Sequence, residues 1–483
     1  MTGAMEIKVL IVGAGTAGLM LALLLELCGI EYVLLEKKPA FRPPSRACVL
    51  GAIVLPVLEQ IGLLPEIEDI SLPIRKFKIK RKNNIDGSVG ELDASFLEQR
   101  YGYPSLVMPR PALYNVLLRR IPKHKIILGK RVLSTSQSDH GVLVRCADGT
   151  TFSGDVLVGS DGANSSVRQN LYRQLDSTTP SPPSALLLPL SVIGQATEER
   201  SRAEQGWSVM GITNPLDQER YAGLDQPFSD FMIVMGQKSK ESLWCMPTAN
   251  RRVLWSVAAP IEKSDKALCD VGFNASEPDQ EAIEETCAKY YHFDCPYGGI
   301  MKDIFDQSPP HLRSRVLVQE KIFERWCGGR TVLIGNACHK FPPSAGLIDC
   351  INMAESVALV NRLHELRSNS PLEIRAIFEQ YQEEREVYAR RALHHSKKLF
   401  SFSSEKGIVA GISRKVVLSR SPTNPWIKEN DLMHQDRPQV VFLPMVPQRG
   451  VFLRQDPKPS SIPIRIPKRR STPSPSMGYR QDV

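Results

Sequence analysis

Several patterns that would place a chain outside ordinary globular chemistry are missing from this one. Its ten cysteines include no C-x-x-C pair and none has a histidine at zinc-finger spacing, so neither a structural zinc site nor a dithiol redox pair is expected. Reduced thiols are the default. No G-x-S-x-G elbow is present, which removes the hydrolase type of nucleophilic catalysis. The longest apolar run near the start, Leu19–Leu25, stops at Glu26, well short of the roughly 20 residues that a membrane-spanning helix needs. Met1–Glu6 has no basic n-region, so a cleaved signal peptide is not expected and a cytoplasmic location is the default. Internal repeats are also missing. The formal charge of +9 is concentrated at the end, where Arg454–Val483 holds seven Lys or Arg against two Asp. That stretch lacks the aromatic interleaving of nucleic-acid sites, so nucleic acid is not expected as a partner, and a membrane contact is left to this tail alone.

What remains is the make-up of a globular chain. With 42% hydrophobic and 23% charged residues over 483 positions, it exceeds what one hydrophobic core commonly serves, and two packed domains with appendages are predicted. Ile7–Val12 is an apolar, β-branched run, Gly13–Gly18 turns the chain, Leu19–Cys28 reads as a buried helix ended by Gly29, and Tyr32–Leu35 as a second strand. This is the opening of a doubly wound α/β sheet, whose parallel strands are buried on both faces. Residues 1–180 are predicted to be its first part. After the Pro- and Ser-rich loop Ser177–Ser184 come short runs at Leu187–Ile193, Phe231–Met235, Leu243–Met246 and Val253–Ala258. They predict an inserted antiparallel, mostly β substrate domain over 181–310.

A buried strand at Thr331–Ile334 and a helix over about Asn352–Leu366 return the chain to the first domain over 311–400, which makes that domain discontinuous. Ser370-Pro371-Leu372-Glu373 resembles a capping box that opens a long C-terminal helix. Residues 401–453 read as an extension and 454–483, with six prolines from Pro457 to Pro475, as a disordered tail.

Gly13-Ala14-Gly15-Thr16-Ala17-Gly18 satisfies G-x-G-x-x-G between a strand and a helix, the context in which the pattern marks a dinucleotide site. The first glycine permits the turn, the second admits the pyrophosphate, and the third lets helix and strand approach, while the helix N-terminus favours the phosphate charge. Glu36 ends the second strand where a carboxylate accepts hydrogen bonds from ribose hydroxyls. The turn alone does not separate FAD from NAD.

Four further segments carry a resemblance: Pro44–Ala52 with Arg46, Met108–Tyr114 with Arg110, Val156–Arg168 with Asp161 and Gly162, and Gly329–Gly346 with Asn336 and His339. Together they resemble the group A flavin monooxygenases, the class that includes p-hydroxybenzoate hydroxylase and fungal terpenoid epoxidases, over about residues 7–400. The resemblance implies a Rossmann-type FAD-binding domain with Gly13, Gly15, Ala17, Gly18, Glu36, Arg46, Arg110, Asp161, Asn336 and Gly346 around FAD. It also implies NADH or NADPH as reductant, O2 as co-substrate, and hydroxylation or epoxidation of a hydrophobic or aromatic small molecule.

The flavin side departs from the family pattern. An aspartate that would accept bonds from ribityl hydroxyls is Asn336, and the family's G-x-G-x-N becomes Gly346-Leu347-Ile348-Asp349-Cys350. If position 348 needed positive φ, a β-branched residue there would cost about 1 to 3 kcal/mol or force another path. Asp349 also adds an anion. These departures motivate an alternative, a degenerate FAD-binding protein of the same fold without efficient turnover. No side-chain acid, base or metal site is identifiable, and His339 reads as a packing or hydrogen-bonding residue.

Overall fold

The computed structural model describes residues 7–41, 46–81, 84–178, 203–235, 242–259, 280–342, 346–404 and 425–453. The expected strand Leu187–Ile193, most of the loop before it and the basic tail lie outside these residues.

The opening unit forms as predicted, with β1 (Lys8–Val12), α1 (Thr16–Cys28) and β2 (Glu31–Leu35). Helix α1 is buried along Thr16–Leu25, as its nearly continuous apolar sequence requires of a helix enclosed on all sides. Gly29 ends it in the left-handed conformation at φ 74°. β1 is the centre of a six-stranded sheet in the order Cys327–Gly328, Thr331–Leu333, Val156–Gly159, β1, β2, Ile126–Ile127. All its pairings are parallel except the one between Cys327–Gly328 and Thr331–Leu333. Thr331–Leu333 pairs directly with Val156–Gly159, so the returning segment completes the sheet, and helix Ile348–His364 packs against α1.

The second sheet is larger and less local than the sequence suggested. Its order is His339–Lys340, Arg313–Ile322, Ala203–Ile212, Arg252–Ala259, Ser242–Thr248, Ser229–Met235, Leu72–Arg81, Leu106–Pro109, Ala47–Leu50, with Asn84–Asp93 on Leu72–Arg81. Strands from the first hundred residues and from beyond 310 therefore share it with those of the middle segment. It is also mixed, because Ser229–Met235 runs parallel to Leu72–Arg81. Within Ser242–Thr248, Leu243 and Cys245 enter a core closed by helices Gln280–Ala288 and Met301–Asp306. Ser242, Trp244 and Met246 alternate with them and line a cavity on the opposite face.

Helix Pro371–Ser404 buries Ile374, Phe378, Tyr381 and Ala392. Half of its capping box forms. Ser370 Oγ accepts from Glu373 N at 3.2 Å, while the Glu373 carboxylate bonds Arg367 N and Ser368 Oγ. The extension folds back onto the N-terminal part of the chain. Helix Pro425–Met433 presents Asp431 to Arg100, which donates two hydrogen bonds of 2.6 Å, and Gln60 exchanges bonds with the backbone of Val440.

Candidate cofactor and substrate site

The three glycines of the turn meet different surroundings. A Cβ on Gly13, at φ +104°, would lie 2.6 Å from Ser160 O, and one on Gly18 would lie 2.0 Å from Gly13 O. One on Gly15 would meet nothing closer than 3.8 Å. Gly13 and Gly18 thus serve packing, whereas a side chain at Gly15 would meet only ordinary van der Waals contacts. Gly15 is also the N-cap of α1, where no side chain supplies a capping bond and no acidic residue occupies the first turn. Such an end attracts an anion through its backbone N–H groups. Glu36 stands beside it, its carboxylate accepting from Ala14 N at 2.9 Å and Lys38 N at 3.0 Å. Ala17 is buried, and its Cβ would be 3.1 Å from a Cβ on Gly335.

Arg46 and Arg110 are neighbours at the end of the ladder between Ala47–Leu50 and Leu106–Pro109, and Arg110 N donates to Arg46 O at 3.0 Å. Their side chains diverge. Arg46 lines the cavity, whereas the buried Arg110 donates from Nη2 to Asp349 Oδ1 at 2.6 Å and to Thr16 Oγ1 at 2.7 Å. Thr16 Oγ1 in turn donates to Asp349 Oδ1 at 2.7 Å. The anion expected to burden the flavin side therefore has a cation and a hydroxyl bound to it. The concern over Ile348 is removed as well. Ile348 is the first residue of helix Ile348–His364, which begins four residues before the expected start, and it is absent from the described non-glycine residues with positive φ. The left-handed position falls at Gly346, φ +63°. Cys350 Sγ is buried and lies 3.4 Å from Val49 O.

Asp161 adjoins the turn through its backbone, its Cα being 2.7 Å from where a Cβ on Gly13 would stand. Its carboxylate is turned to helix Ser166–Thr178, accepting from Ser165 Oγ at 2.5 Å, Ser166 N at 2.7 Å and Val167 N at 3.2 Å. Its side chain is thus a helix cap in this structure. Asn336 occupies a short turn, with Asn352 Nδ2 3.4 Å from its Oδ1. The turn is held from beneath by a residue the sequence reading did not single out. Glu355, wholly buried, accepts from Gly335 N at 2.6 Å and lies 2.6 Å from His339 Nε2. A carboxylate inside the apolar run Met353–Val360 was the available signal, since a buried charge requires partners.

A cavity of about 240 Å³ connects these segments. Arg46, Val49 and the stretch Gly346–Cys350 form one part of its wall, and Phe77, Phe231 and Trp244 of the large sheet another. These aromatic rings pack edge to face and tilted, with centroids 5.2 Å apart in each pair. His395 from the long helix and Asn430 and His434 from the extension complete it, and the extension had no assigned role in the sequence reading.

The profile of the FAD binding domain matches residues 6–396. The chain belongs to that family. Within it, this flavoprotein stands with flavin-dependent monooxygenases. It is 26% identical over 404 residues to the FAD-dependent monooxygenase olcE of Penicillium canescens, covering 82% of this chain and 80% of the relative. With the FAD-dependent monooxygenase atmM of Aspergillus flavus it shares 24% identity over 465 residues, 92% and 88% of the two chains. The fold matches that of Klebsiella pneumoniae HpxO, solved with FAD and uric acid, at a TM-score of 0.68 and 18% identity, over 90% and 98% of the chains.

FAD is the cofactor of this family, and the site residues fit a dinucleotide. The uncapped α1 N-terminus, the uncrowded Gly15 and the adjacent Glu36 form a cradle that a side chain at position 15 would partly fill. Among the described residues, no helix is long and apolar enough to cross a membrane.

Proposed function

We propose that this flavoprotein is a monooxygenase that uses NADH or NADPH and O2 to hydroxylate or epoxidise an apolar, ring-bearing small molecule in the cytoplasm. The supporting observation is that one cavity is walled by both the flavin-side segments and the aromatic face of the large sheet. Cofactor and substrate would share a single water-poor enclosure. FAD, when bound, supplies the redox chemistry, accepting electrons from the nicotinamide and activating O2.

The chain's own residues would bind, orient and exclude water. Gly15 and the first turn of α1 would take the pyrophosphate, and Glu36 the ribose. The first turn of helix Ile348–His364 lies at the cavity wall, where its free backbone N–H groups would give the bound redox group a fixed positive end. Arg110 holds Asp349 in a closed ion pair, so that this end is not offset by a free carboxylate. Phe77, Phe231 and Trp244 would carry the substrate's rings. The pairing of Asp349 and the helical place of Ile348 weaken the case for a degenerate, non-turning protein.

Purified full-length protein should carry or take up FAD with the flavin absorbance spectrum, and should oxidise NADH or NADPH faster when an apolar ring substrate is added. Product formed under 18O2 should gain one labelled oxygen. Protein that takes up no flavin, or loaded protein that consumes no reductant with any apolar substrate, would refute the proposal.

A further inference from the structure

The cavity is apolar over most of its wall, but one polar group in it is poorly served. His395, on helix Pro371–Ser404, is 5% exposed and lines the cavity. Its Nδ1 is buried without a hydrogen-bond partner, and Glu429 Oε2 is 3.9 Å away, too far for one. Its neighbours on the wall are engaged otherwise. His434 Nδ1 lies 2.8 Å from Asn430 O, and its ring stacks on Tyr101 at 3.8 Å. Ser208 and Ser256 bond each other at 2.9 Å, and Ser242 Oγ accepts from Trp244 Nε1 at 3.0 Å.

A buried imidazole nitrogen that lacks a hydrogen bond is costly, and the ring becomes favourable when a ligand supplies the missing bond. Burial holds the His395 pKa down to about 4, so at neutral pH the ring is uncharged and carries one donor and one acceptor nitrogen. It therefore suits a neutral oxygen function better than a carboxylate or phosphate.

Resting on the monooxygenase reading, we infer that His395 is a specificity residue that hydrogen-bonds a single hydroxyl or carbonyl oxygen on an otherwise hydrocarbon, ring-bearing substrate. The hydrocarbon body packs on Phe77, Phe231 and Trp244. Helix Pro425–Met433 and His434 close the wall around the polar end, which assigns the C-terminal extension a part in substrate choice. The extension is fixed for that purpose by Arg100 and Tyr101, which bond Asp431 at 2.6 and 2.9 Å.

Binding, measured by calorimetry on full-length protein, tests this without turnover. The probes are tetralin and 2-tetralol, which differ by one hydroxyl. FAD content is determined separately on the same samples. The parent protein should prefer the alcohol by about tenfold, the worth of one good hydrogen bond. His395→Leu should abolish that preference while binding tetralin at least as well, and His395→Gln should restore part of it. Should the leucine variant fail to fold, His395→Phe, which keeps a ring in place, carries the same prediction. An alcohol preference that survives the leucine or phenylalanine change overturns the inference, as does a parent protein that binds neither probe. The two readings fail separately. A chain that takes up no FAD yet shows the His395-dependent preference loses the monooxygenase proposal and keeps the specificity residue, and the reverse result does the opposite.

Discussion

The ion pair between Arg110 and Asp349 allows the sharpest test of the site. Both side chains are nearly enclosed, at 4% and 7% exposure, and Nη2 and Oδ1 are 2.6 Å apart. Asp349 Oδ1 also receives the Thr16 hydroxyl at 2.7 Å, so three segments far apart in sequence meet at one oxygen. Arg110→Met removes the cation and leaves a buried carboxylate with only a neutral donor, a change that typically costs about 3 to 5 kcal/mol. Asp349→Leu strands the guanidinium and should cost a similar amount. The double variant replaces two mutually compensating charges with apolar groups, and should recover most of one single loss, giving a coupling of roughly 2 to 3 kcal/mol. Urea unfolding of FAD-free protein, followed by tryptophan fluorescence, measures all four corners of the cycle. A cost below about 1 kcal/mol for Arg110→Met, or a double variant whose loss equals the sum of the singles within about 0.5 kcal/mol, would refute the claim that the pair neutralises Asp349.

Three other outcomes follow from the same structure. Gly15→Ala should leave the apoprotein as stable as the parent, since its Cβ meets nothing nearer than 3.8 Å, yet weaken FAD binding at least tenfold; Gly18→Ala, with a Cβ 2.0 Å from Gly13 O, should destabilise the apoprotein itself, and calorimetric unfolding with flavin titration separates the two. Glu355→Leu should cost about 1 to 3 kcal/mol, because Gly335 N and His339 Nε2 both lose their buried partner, and should also lower FAD affinity through the Asn336 turn; an equally stable variant would remove Glu355 from its positioning role. Burial pushes His434 from 6.5 down to about 4, so the unfolded chain takes up a proton in that interval that the folded ring refuses. The stability from this site is complete above about pH 6.5 and lost as pH falls toward 4, by roughly 3 kcal/mol. His434→Phe, which keeps a ring against Tyr101, should flatten that part of the pH profile of unfolding, and an unchanged slope would contradict the assignment.

The legible part of this protein is the part whose chemistry is local. Strand, turn and helix from Lys8 to Cys28 are specified by residues that touch one another, and the glycine spacing states its own geometric need. The large sheet escaped because its neighbours are distant. Leu72–Arg81 pairs with Ser229–Met235 in parallel, a partnership no local pattern encodes, and so a contiguous middle domain was expected where strands are drawn from three regions. The apparent decay of the flavin-side loop misled for the same reason. Read along the chain, Ile348 replaces a family glycine and Asp349 adds an anion; read in space, one opens a helix and the other is half of an ion pair with Arg110. A charged departure in a buried loop is interpretable only with its partner in view, and here the partner is 239 positions away. The same holds for the wall that His395, Asn430 and His434 give the cavity. The extension carries no motif, and its contribution arises from where Arg100, Tyr101 and Gln60 fasten it. The proposed cofactor cradle is thus carried by a local pattern near the start of the chain, whereas the proposed substrate wall rests on long-range contacts that the pattern does not reach.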